Sequence, residues 1–167
     1  MLARVRPLRG AGLVAVLLVL AACRTIYPDL DQRVTQGPTA AELWTLRMME
    51  QARREPSFEE KRAFESEIDD RIGRYLRENP DAANALNVST FRFLKQVTVG
   101  MEKGQVEILL GAPTTTTRDA AQMQSLSRHY WPEIRGKADE AWSYPLGWVI
   151  YFSDSKVVDI TQYFPRT

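Results

Sequence analysis

Apolar residues recur along this chain in three rhythms. The first is an unbroken run from Ala11 to Ala22, in the order AGLVAVLLVLAA, preceded by Arg4, Arg6 and Arg9. The second has helical spacing. Thr39-Ala40-Ala41-Glu42 reads as a capping box, and Leu43, Trp44, Met48 and Ala52 follow on one face until Pro56 closes the segment. Ser57-Phe58-Glu59-Glu60 opens a second helix by the same device. Its stripe of Phe64, Ile68, Ile72, Tyr75 and Leu76 keeps i, i+4 spacing, and Asn79-Pro80 ends it. A third helical stretch begins near Asp81, with a break around Asn87, and runs through Phe91 and Leu94. Glu59, Glu60, Arg62, Glu65, Asp69 and Arg74 fill the outer face of the second helix, as solvated surface would require.

The third rhythm alternates. After a short helix over Lys103 to Leu110, stopped by Gly111 and Pro113, the threonines Thr114 to Thr117 read as loop or edge strand. Asp119 to Tyr130 can form one more helix. Three strand-like runs follow, at 141–144, 148–153 and 157–163, with Asp154-Ser155 as a tight hairpin between the last two. Period 2 puts Trp148, Ile150 and Phe152 on one face, and Val149 and Tyr151 on the other. The pattern predicts an α+β fold in which helices pack on a three-stranded antiparallel sheet, preceded by an additional helical segment.

The first rhythm is a targeting signal. Twelve apolar residues in a helix span only about 18 Å, well short of a hydrocarbon core of roughly 30 Å. A cationic head, a short apolar stretch and small residues before a cut describe a secretory signal over residues 1–22. Leu20-Ala21-Ala22-Cys23 resembles the lipobox of bacterial lipoproteins, and Cys23 is the sole cysteine. The resemblance implies that Cys23 becomes the acylated first residue, which anchors the protein to a membrane. Several acyl chains, at about 0.8 kcal/mol per buried CH₂, hold a protein there stably. Arg24, in place of aspartate, implies the outer membrane.

Removal of that signal leaves 145 residues, one domain's worth plus a tether. All three signal charges are arginines, so the remainder carries 19 basic and 21 acidic side chains. Near neutrality leaves no basic footprint for nucleic acid. With Cys23 acylated no disulfide can form, and the core alone must hold the fold. Residues 23–38 contain Pro28, Gly37 and Pro38 without an apolar period and read as a tether with a reach of roughly 20–25 Å.

Catalytic chemistry has few candidates. His129 is the only histidine, so a histidine-rich zinc site or a Cys–His pair cannot be assembled. Ser153 and Lys156 flank a turn and read as hairpin residues. Gly100 and Gly104 lack the GK[ST] of a phosphate loop. No catalytic group, metal ligand or cofactor is expected, and the chain reads as a non-enzyme.

Val99-Gly100-Met101, Gln105-Val106, Leu110-Gly111-Ala112-Pro113, Trp142-Ser143-Tyr144 and the hairpin from Val149 to Val158 together resemble the SmpA/OmlA domain of BamE-type lipoproteins. The likeness spans residues 97–163. It implies two helices on a three-stranded sheet, and in the BamE branch an accessory role in the machinery that inserts β-barrel proteins into the outer membrane. The same architecture is similar to that of β-lactamase-inhibitor proteins, so the fold implies binding without naming the partner. Several features depart from the pattern. Glu102 stands where Ser or Thr is usual, 28 residues separate Pro113 from Trp142, and residues 39–86 have no counterpart.

The organisation expected is therefore a signal peptide at 1–22, a tether at 23–38, a helical segment at 39–96 and a BamE-like domain at 97–167. The function expected is that of an outer-membrane lipoprotein on the periplasmic side, binding β-barrel assembly subunits. The alternative is a lipoprotein whose inhibitor-like fold binds another periplasmic protein or peptidoglycan. The partner surface expected combines Thr114 and Arg118, after L-G-x-P, with Tyr144 and Tyr151 on an open sheet face. Cys23 carries the membrane anchor.

Overall fold

The computed structural model describes residues 30–164. The signal segment, Cys23 and the first part of the expected tether lie outside the described residues. Asp31–Phe164 forms one compact unit.

Strands β1 (Leu30–Val34) and β2 (Gln36–Thr39) come first, and the described helices are α1 (Ala40–Ala52), α2 (Phe58–Glu78), α3 (Pro80–Ala83), α4 (Lys103–Leu110), α5 (Ala120–Ser127) and α6 (Trp131–Ile134). A π-helical turn spans Thr90–Leu94, and the remaining strands are β3 (Gln96–Thr98), β4 (Thr115–Thr117), β5 (Glu140–Ser143), β6 (Trp148–Ser153) and β7 (Lys156–Phe164). The class is α+β as expected, but the sheet is larger. Five strands run in the order β1-β7-β6-β5-β4, and β2 pairs with β3 in a separate ribbon. The three alternating runs make the centre of the large sheet. Residues 30–34, expected as tether, add one edge, and the threonines of β4 add the other. Both edge strands are rich in polar residues and carry little apolar period; β1 is held besides its backbone by the Arg33–Asp159 ion pair, the Gln32–Gln162 hydrogen bond and the packing of Val34 on the core.

Local signals are realised closely. The capping box expected at Thr39 is half formed: Thr39 Oγ1 accepts the Glu42 N–H at 3.2 Å. Ser57 and Glu60 exchange both bonds of a capping box, 3.2 Å and 2.7 Å long. Glu102 caps α4 differently from a Ser or Thr: its N–H donates to Gln105 Oε1 at 2.9 Å, while its carboxylate accepts the Tyr75 hydroxyl at 3.0 Å. Asp154 and Ser155 both adopt positive φ, 48° and 65°, as the type I′ hairpin turn demands.

The sheet is covered on both sides. One face packs against α1, α2, α4 and the π-turn, in a cluster that joins Leu43, Ile68, Ile72, Phe91, Val106 and Leu110 to Trp142, Trp148, Ile150 and Phe152. Helices from residues 39–96 thus share one core with the sheet. Arg47 of α1 strengthens the joint, donating to the carbonyls of Leu110 and Ala112 at 2.6 Å and 3.0 Å. The second face packs Val149, Ala141 and Tyr151 against Met123 and Ile134 of α5 and α6.

Candidate functional site

The four residues expected to form a partner surface fall into two environments. Thr114 is exposed, and its N–H donates to the Ser143 carbonyl at 2.8 Å at the start of the β4 edge. Arg118 is also exposed, and its Nε donates to Glu140 Oε2 at 2.8 Å. Tyr144 is only 4% exposed, and its hydroxyl donates to the Gly111 carbonyl at 3.1 Å. Burial drives its pKa well above the usual tyrosine value.

Tyr151 is fully buried, which corrects the expectation of an open sheet face. It lies beneath α5 and α6, with its hydroxyl 3.4 Å from Thr161 Oγ1 and its pKa pushed up to about 12 by burial. The cause is the long spacer between Pro113 and Trp142, which folds as α5 and α6 and lies across that face. Met123, Leu126, Tyr130 and Ile134 carry the signal in the sequence: apolar residues three and four apart require a surface to cover. Neither tyrosine offers a protein partner an exposed ring.

An acidic residue absent from the sequence-level reading organises the β4–β5 edge. Glu140 is 7% exposed and stands beside Trp142 on the same sheet face. Its Oε2 accepts from Lys103 Nζ at 2.9 Å and from Arg118 Nε, and its Oε1 accepts from Trp142 Nε1. Lys103 Nζ also stands 5.3 Å from the Phe152 ring centroid, within cation–π range. Burial alone would raise the Glu140 pKa, but the hydrogen bonds from Lys103, Trp142 and Arg118 outweigh it and hold the carboxyl at about 2. Two cations and an indole occupy this carboxylate, so it braces the edge and is a poor proton acceptor at neutral pH.

A second ionic group surrounds Asp31. His129 Nδ1 lies 2.9 Å and Arg128 Nε 3.4 Å from Asp31 Oδ2. The Tyr130 hydroxyl donates to the Asp31 carbonyl at 3.0 Å. His129 therefore serves to hold β1, a use that no residue spacing in the sequence announces. Ser153 and Lys156 pair across the hairpin turn. Among the described residues no three acidic, histidine or cysteine side chains gather in a metal-binding group, and no helix is long and apolar enough to cross a membrane.

Exposed apolar side chains gather elsewhere, on the connection between α3 and β3. Leu86, Phe93 and Leu94 all face solvent there, whereas Phe91 of the same turn is fully buried. Beside them a groove of about 580 Å³ runs between α2 and the π-turn, lined by Ile72, Gly73 and Leu76, closed by the Asp69–Lys95 ion pair and flanked by Arg77 and Arg92. Neither arginine has an ion-pair partner among the described residues. Compared with known proteins, the chain matches no family model, no curated protein and no solved structure.

Proposed function

We propose that this chain is an outer-membrane lipoprotein of the SmpA/OmlA, BamE-like type, anchored through Cys23 and acting as a non-enzymatic binding module in β-barrel protein assembly. The observation that carries the reading is the position of Leu20-Ala21-Ala22-Cys23, directly after the apolar stretch and behind three arginines. A globular unit that begins at Asp31, a few residues beyond Cys23, is compatible with such an anchor. Met101, Val106, Leu110 and Trp142, which belong to the motif pattern, converge in one cluster with Ile150 of the hairpin. That convergence supports treating the motifs as one structural unit.

The distance to the membrane follows from where the fold starts. If Cys23 is acylated, seven residue steps separate it from Leu30, a span of at most about 25 Å. The domain then works close to the bilayer. Its contact surface for a partner is the exposed connection of Leu86, Phe93 and Leu94 with Arg77 and Arg92, because apolar anchors rimmed by arginine favour protein contacts. The covered face over Tyr151 takes no part.

The test is cross-linking in intact membranes, with wild type, Cys23→Ser and Phe93→Ser compared. Enrichment of β-barrel assembly subunits with wild type, and its loss with both variants, supports the reading. Recovery of peptidoglycan fragments or one unrelated periplasmic protein, without those subunits, replaces it with the inhibitor-like alternative.

A further inference from the structure

A pocket of about 280 Å³ opens at one end of the sheet, on the side covered by α5. Leu126, Val149 and Tyr163 line it, with Tyr144 and Trp148 at its border, their rings packed in the larger cluster, so its wall is largely apolar. Its volume exceeds the roughly 150 Å³ that holds a benzene ring. One charged side chain lines it, the cation Arg128; no carboxylate does.

Three backbone positions around this pocket are held in conformations that side chains disfavour. Arg128 has φ 56° and ψ −126°, a region almost confined to glycine. Leu146 sits in the left-handed region at φ 60° and ψ 26°. Gly147 has φ 70°, and a Cβ there would stand 1.7 Å from the Tyr163 carbonyl oxygen. Strain of this kind persists only where the surroundings impose it, and it gathers at ligand sites. Here its effect is to bring the Arg128 guanidinium to 3.6 Å from the Tyr163 ring centroid, at the pocket wall. The ion pair of Arg128 with Asp31, at 3.4 Å, is the longest among the described residues, and His129 holds the same carboxylate oxygen more closely. The guanidinium therefore keeps donors for a second anion.

We propose that this pocket binds a small aromatic monocarboxylate, its ring against Leu126, Val149 and Tyr163 and its carboxylate on Arg128. An apolar wall with a single cation selects an apolar body with a single negative end, and rejects zwitterions and cations. The inference is independent of the anchoring reading, since it uses only residues of the folded unit.

The experiment titrates the full-length chain with 3-phenylpropionate and, separately, with its neutral amide, followed by ligand-observed NMR. The expected dissociation constant for the acid is on the order of 1 mM, with the amide about tenfold weaker. Arg128→Gly removes the cation and suits the backbone angles, so it should keep or raise the melting temperature while reducing acid binding to the level of the amide. Ser125→Trp, at the exposed rim, should block both probes. Equal binding of acid and amide by the wild type overturns the proposal, as does undiminished acid binding by a folded Arg128→Gly or Ser125→Trp protein. Absence of binding by wild type up to about 20 mM overturns it outright, whichever way the variants fold.

Discussion

Arg33 grips Asp159 with three hydrogen bonds, Nε to Oδ1 at 2.9 Å and to Oδ2 at 3.0 Å and Nη2 to Oδ2 at 2.7 Å, and so ties the first strand to the last. The Asp159 side chain is 4% exposed and that of Arg33 is 38% exposed. A carboxylate so placed needs its partner: without Arg33, only the Ile160 N–H at 3.0 Å remains on it. Arg33→Ala should therefore cost about 1–3 kcal/mol, the penalty of a buried acceptor left short of donors. Urea denaturation measures it, and loss of amide protection in β1 at unchanged global stability would instead locate the effect at the edge alone.

The two faces of β6 can be tested separately. Ile150 is fully buried in the larger cluster, and Ile150→Ala should cost about 2–5 kcal/mol by cavity formation. Tyr151→Ala should cost about 3–5 kcal/mol because it empties the cluster beneath α5 and α6. Tyr151→Phe should cost less than about 1 kcal/mol, since its hydroxyl makes one long contact. Denaturant midpoints decide; a Tyr151→Ala protein as stable as wild type would mean that this face is open in solution.

Acid stability should depend on Glu140. Its carboxyl titrates at about 2 when folded, below the ordinary value of 4.5, so the unfolded chain binds the proton more readily. The resulting stabilisation is fully present above pH of about 4.5 and is lost as pH falls towards about 2. Glu140→Gln should flatten that part of the stability–pH curve. Glu60, held at about 2 by Arg54 and the Ser57 N–H, adds a drop of the same sign, so some slope should survive in the variant. Thermal melts between pH 2 and pH 6 provide the comparison.

Sorting follows from the residue after the proposed lipid site. Arg24→Asp should move part of the protein from outer-membrane to inner-membrane fractions on a density gradient. Wild type found at the inner membrane would contradict the proposed location.

Elements with a strong local signal were legible in the sequence. Ser57 and Glu60 start α2 as their capping spacing requires, Lys103–Leu110 forms the short helix before Gly111, and the alternation of Trp148, Val149, Ile150, Tyr151 and Phe152 assigns both faces of β6 correctly. These depend on contacts within a few residues or on period alone.

Pairing at the sheet edges was decided only by tertiary structure. Leu30–Val34 has composition suited to a tether, and the threonines at 114–117 read as loop or edge strand; both segments are fixed as strands because β7 and β5 offer unpaired backbone at their sides. The candidate site shows the same division. Sequence placed Tyr151 on the face opposite Trp148, but whether that face meets solvent depended on where α5 docks. Period fixes which way a side chain points relative to its own strand; exposure is set by what else folds over it. Thus the alternation, the caps and the cysteine after an apolar run belong to the sequence, whereas the ion pairs of Arg33, Glu140 and Asp31, each spanning 15 or more residues of chain, exist only once distant segments have met.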